Sequence, residues 1–178
     1  MTDEEYMKIA LKEAKKAFQK DEVPIGAVLV NPQTQEIVAK AFNRTEYGTD
    51  VTSHAEILVL RKACKKLKTK RLWGFDLYVT LEPCTMCAAA ISFARIRKII
   101  FGAIDEKGGA VASGVKFYQS KTCHYKPEVV SGVLEEESAL LLKSFFKTAS
   151  SVKGLYYCKI RILYSQATGS LEPKYTIS

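Results

Sequence analysis

The 178-residue chain lacks any run approaching the ~20 consecutive apolar residues needed to cross a bilayer, which excludes a helical membrane span. It also lacks the basic and then apolar opening of a secretory signal. The chain starts Met1-Thr2-Asp3-Glu4-Glu5, so an intracellular, cytoplasmic protein is expected. Neither an internal repeat nor a low-complexity tract is found. Histidine is scarce, with only His54 and His124. Cysteine is sparse and odd in number, five, with two placed as Cys84-Thr85-Met86-Cys87. In a reducing compartment that spacing suits metal or redox use better than a disulfide. Acidic residues are in deficit, 19 against 27 Lys plus Arg, a formal net charge of +8. Such a field attracts polyanions such as nucleic acid, and a basic solvated surface accounts for the same count.

What is present is an ordinary globular composition, 47% hydrophobic and 26% charged, at a length that suits one domain. Met7, Leu11, Ala14 and Phe18 recur at helical spacing and predict an amphipathic helix over residues 4–19. The apolar run 25–30, a turn at 31–35 and a second run 36–42 predict a β-hairpin. Ile57, Leu60, Ala63, Cys64 and Leu67 mark a helix over 54–67. Next come a strand over 76–81, a helix opened by Pro83 and running to about Arg95, and a strand over 98–103. Residues 105–128 read as a long loop with a short helical piece. Residues 129–134 read as a strand and 135–147 as a closing helix. Strands joined through helices run parallel, so the pattern predicts an α/β sandwich with active groups at one sheet edge. The character then changes, and 148–178 is expected to be a C-terminal extension, an edge strand around 155–164 or a flexible tail, beyond a domain spanning 1–147.

Two segments carry the chemistry: His54-Ala55-Glu56 and Pro83-Cys84-Thr85-Met86-Cys87, each at the start of a helix covering the sheet. One imidazole and two thiolates are ligands that zinc prefers, and three protein ligands leave the fourth position for water, the mark of a catalytic site. Cys84 in a first helical turn gains from the unsatisfied amides there, which favour thiolate. Glu56, two residues from His54, is within reach of that water without being a ligand. Other readings remain. Ser53 to Glu56 matches a capping box, and Cys84 with Cys87 matches a redox pair or a small apolar pair. Cys123 and His124 are candidates to close the metal shell, which would make the site structural. Taken together, His-x-Glu and Pro-Cys-x-x-Cys after a strand are the known signature of zinc deaminases. The expected reaction is hydrolytic loss of an exocyclic amine by zinc-activated water, with Glu56 passing protons.

Residues 4–147 resemble the bacterial tRNA-specific adenosine deaminases. Beyond the metal motif the likeness includes residues 22–30, Asn43-Arg44, His54-Ala55-Glu56-Ile57, residues 77–88 and Phe101-Gly102-Ala103. The resemblance implies a three-layer α/β/α sandwich of the cytidine deaminase-like type with a mixed sheet of about five strands. It implies conversion of the wobble adenosine of a tRNA anticodon to inosine, Zn2+ on His54, Cys84 and Cys87, and Glu56 as the proton shuttle. Asn43, the Ala55 backbone, Asp105 and Phe145 are implied as substrate contacts, the tRNA anticodon stem-loop as partner and a homodimer as assembly. On residues alone, Asn43 and Asp105 read as turn residues, Phe145 and Phe146 as core, and Arg95, Arg97, Lys98 and Lys107 as a basic rim. The alternatives are a deaminase of a free base or nucleoside, and a non-catalytic zinc-stabilised RNA-binding module. Cys123-His124 replaces the Asn-His that relatives often carry.

Overall fold

The computed structural model describes residues 1–148. The strand expected around 155–164, with the rest of the extension from 149, lies outside the described residues. Met1–Leu142 form one compact unit, and the residues from Lys143 on belong to a second.

Helix α1 spans Asp3–Phe18. Thr2 caps it with a reciprocal pair: its hydroxyl accepts the Glu5 N–H at 3.2 Å, and the Glu5 carboxylate accepts the Thr2 N–H at 2.7 Å. Asp3, Glu4 and Glu5 in the first turn, with Lys15 and Lys16 in the last, match the helix dipole. Strands β1 (Gly26–Asn31) and β2 (Glu36–Phe42) form the expected hairpin. Helix α2 (Ala55–Leu67), β3 (Asp76–Leu81), α3 (Thr85–Ala94) and β4 (Lys98–Ala103) follow. A single 3-10 turn at Phe117–Gln119 lies in the long loop, β5 is Glu128–Ser131, and a helix α4 occupies residues 135–148.

The sheet order is β2-β1-β3-β4-β5. Only β3–β4 and β4–β5 pair in parallel, because the hairpin inserts β1, antiparallel to both neighbours, between β2 and β3. The sheet is therefore mixed and five-stranded, with helices packed on both of its faces, as expected of an α/β sandwich. Alternation along the strands sends Val28, Val30, Tyr78 and Ile100 to one face, against Tyr6, Met7 and Ala10 of α1. Ala27, Leu29, Leu77, Val79, Ile99 and Phe101 face the other way, against Ala55, Val59, Ala63, Ala88 and Ile91 of α2 and α3. Each fully buried Leu, Ile or Phe contributes about 1.5–3 kcal/mol. Contact between α1 and β1 is close enough to require Gly26, where a Cβ would fall 2.0 Å from the Ala10 carbonyl oxygen. With α2 and α3 on one face, the two helix starts meet at one edge of the sheet.

Candidate active site

Both helices open on a side chain that does not cap. His54 is the N-cap residue of α2 and Cys84 that of α3, both extended, and neither makes a side-chain capping bond. Their side chains are thereby available to each other. His54 Nδ1 lies 3.7 Å from Cys84 Sγ and 3.5 Å from Cys87 Sγ, and the three ligand atoms lie within 4.8 Å of one another. Tetrahedral zinc with ordinary Zn–S and Zn–N bonds would set such atoms about 3.5–3.8 Å apart. The donor set fits a metal ion.

Three sequence expectations are corrected here. The helix expected from Pro83 begins at Thr85, so Cys84 precedes the first turn. The Pro83 carbonyl accepts the Ala110 N–H and Cys84 bridges Gly109, which keeps both residues extended. The capping box at Ser53 to Glu56 does not form, because the Ser53 hydroxyl bonds Asp50 at 2.8 Å and leaves Glu56 uncommitted to the cap. The shell-closing reading also fails among the described residues. Cys84 and Cys87 are free thiols, and the Cys123 thiol donates to the Tyr125 carbonyl at 3.1 Å, outside the cluster.

The electrostatics prepare one of the two thiols, Cys84, as a metal ligand. The Cys84 thiol is pulled down to about 4, first by the hydrogen bond from Cys87 and then by His54, while Cys87, as donor to that thiolate, is pushed far up. Glu56 is 3% exposed, and burial pushes its carboxyl up to about 7. Its Oε2 is buried with no partner, a costly arrangement beside three metal-ligand atoms and one that a reacting group would relieve.

Asn43, 3% exposed, accepts the Ala55 N–H through Oδ1 at 3.1 Å. Asp105 closes a turn, its Oδ1 accepting the N–H groups of Lys107 and Gly108. Phe145 is buried and packs its ring edge-on against Phe146, centroids 5.5 Å apart. Three of the four residues read as a basic rim have partners within the protein: Arg97 pairs with Asp76, Lys98 with Glu128, and Arg95 donates to the His124 carbonyl and stacks with Trp73 and Tyr125.

The sequence reading missed Glu82. Its carboxylate accepts the N–H groups of Asp105, Val111, Ala112 and Ser113 and the Ser113 hydroxyl, at 2.8–3.1 Å. Although burial opposes ionisation, the bonds from Ser113, Val111 and Asp105 hold its pKa below the usual carboxylate range. The loop 105–113 is thus fastened against the Cys84 turn. The available signal was Gly108-Gly109, since a Cβ at Gly109 would sit 2.5 Å from Glu82 Cδ.

Fold and site together define a hydrolytic deaminase, and residues 1–149 match the MafB19-like deaminase family. The tRNA-specific adenosine deaminase of Agrobacterium fabrum is 58% identical over 142 residues, 80% of this chain and 92% of its own. That of Bacillus subtilis is 52% identical over 145 residues, 82% of this chain and 89% of its own. A solved structure from work on A-to-I editing by tRNA:A34 deaminases at the wobble position of transfer RNA is 59% identical, with a TM-score of 0.75. It covers 78% of this chain and 99% of its own. The chain belongs to the tRNA-specific adenosine deaminase family.

Proposed function

We propose that this protein converts the wobble adenosine of a tRNA anticodon to inosine, with water consumed and ammonia released, and that His54, Cys84 and Cys87 hold Zn2+. The observation that carries this reading is the buried Glu56 carboxylate, one oxygen of which has no partner, beside three side chains of metal-ligating type. Bound zinc would supply a water acidic enough to ionise near neutrality. Glu56 takes one proton from the attacking water and gives it to the purine N1, then takes the second from the hydroxyl left on the carbon and gives it to the departing amine as the C–N bond breaks. A carboxyl group pushed toward 7 is suited to both directions. Asn43 and the Ala55 backbone hold the extruded base. With Oδ1 committed to Ala55, the Asn43 amide NH2 is the group that donates to it. Asp105 adds a further substrate contact.

The net charge of +8 supports binding to an anticodon stem-loop. We further propose a cytoplasmic homodimer. A mainly apolar groove of about 390 Å³, lined by Ile57, Leu60, Cys64, Ala90 and Phe93 together with Arg61, Lys70 and Arg71, supports pairing with a second copy, Phe93 being 63% exposed. The deaminase domain is taken as 1–147, with 148–178 as an extension.

The test is a comparison of substrates. An anticodon stem-loop carrying adenosine at the wobble position is expected to be converted to inosine, with free adenosine a poor substrate. Equal turnover of both would refute the assignment to RNA.

A further inference from the structure

Outside the metal cluster, one exposed aromatic ring is fixed in place by buried chemistry. Tyr47 is 73% exposed, yet its backbone N–H donates to Glu22 Oε1 at 2.7 Å. Glu22 is 0% exposed and also accepts the Glu46 N–H and the Thr45 hydroxyl, so its charge is spent on rigidifying residues 45–47. A buried carboxylate used this way presents an otherwise floppy loop residue in one position. The ring is flanked by Arg44, 5.4 Å from its centroid, and Lys20, 5.9 Å away. Both cations are exposed, and neither forms an ion pair among the described residues. At these distances, near the ~6 Å limit of a cation–π contact, they are lightly held and free to turn to a phosphate.

Lys20, Glu22, Phe42, Arg44 and Tyr47 line a cleft of about 210 Å³, smaller than the ~300 Å³ at which pockets for whole drug-sized ligands begin. It has room for part of a nucleotide. Its position is set by the chain: Arg44 follows Asn43, and the Arg44 N–H donates to the Ser53 carbonyl, directly before His54. A flat exposed ring with two unpaired cations is the combination that binds single-stranded nucleic acid, the ring under a base and the cations on the backbone.

We propose that Tyr47, with Arg44 and Lys20, forms a subsite for one unpaired nucleotide of the RNA next to the target adenosine. The Tyr47 ring stacks on its base, and the two cations hold its phosphate. This rests on the RNA reading of the active site and adds to it a second anchoring point on the loop.

The experiment measures affinity and KM of the full chain for an anticodon stem-loop, intact or with an abasic site at each unpaired position in turn. Tyr47→Ala should weaken binding of the intact loop roughly tenfold, through KM, with wild-type metal content. Tyr47→Phe should bind as the wild type does. At one position flanking the target, the abasic RNA should bind the wild type roughly tenfold more weakly and should cost Tyr47→Ala nothing further. Affinity of Tyr47→Ala within twofold of wild type, or abasic penalties identical in both proteins at every position, would overturn the subsite. Tyr47-dependent binding without conversion of the wobble adenosine would support the subsite and refute the proposed reaction.

Discussion

Asn43 and Ala55, twelve positions apart, are joined by the N–H of Ala55 donating to Asn43 Oδ1 at 3.1 Å. That bond fastens the end of the hairpin to the first residue of α2, immediately after His54. It satisfies one of the amides that every helix start leaves open. Asn43→Ala would leave the buried Ala55 N–H unsatisfied and is expected to destabilise the protein by about 1–3 kcal/mol. Chemical denaturation measures this. A loss below about 0.5 kcal/mol would show that the bond contributes little.

Glu82 should matter more, because five donors converge on it. Glu82→Gln keeps the size but replaces one acceptor oxygen with an NH2 facing N–H groups. A loss of about 2–4 kcal/mol is expected, together with weaker metal retention, since the loop it holds bridges Cys84 at Gly109. Gly109→Ala should reproduce both effects, because its Cβ would strike the same carboxylate. Denaturation and metal content check both variants.

Asp50 gives a pH dependence of defined sign. Its carboxylate accepts the Thr52 N–H, the Thr52 hydroxyl and the Ser53 hydroxyl, and these bonds hold its pKa down to about 2. A folded pKa below the ordinary value of 3.8 means that the contribution is complete above pH 3.8 and is lost as the pH falls toward 2. The stability difference between wild type and Asp50→Asn should therefore shrink over that window. A difference that stays constant from pH 5 to 2 would contradict the assignment.

RNA affinity should fall as salt rises, because neutralising phosphates with Lys and Arg releases counterions. Titrating salt against stem-loop affinity for the wild type and Lys20→Ala measures the slope. The variant should have the shallower one, and a salt-insensitive wild type would count against a basic RNA surface.

Most of the fold was legible because the core obeys simple periods. Met7, Leu11 and Ala14 on α1 are buried where their spacing puts them, and β3 and β4 fall on the expected residues 76–81 and 98–103. The helix starts were less legible. Pro83 and Ser53 carry strong start signals, yet tertiary bonds to Ala110 and Asp50 take them out of the helices and leave Cys84 and His54 at the caps. The cluster of His54, Cys84 and Cys87 could be read because a spacing of metal-ligating residue types has few uses. Glu82 and Glu22 could not, because their partners are backbone amides, which carry no side-chain signature. Tyr47 carries no such signature either, since what fixes its loop is a carboxylate 25 positions away.

The central claim is that a carboxylate which is not a ligand moves protons beside a metal held by one histidine and two cysteines. The most direct measurement is the zinc content and inosine-forming rate of Glu56→Ala on an anticodon stem-loop. The expected result is wild-type zinc and a rate lower by about 10²-fold or more. Zinc lost along with activity, or a rate near wild type, would contradict it.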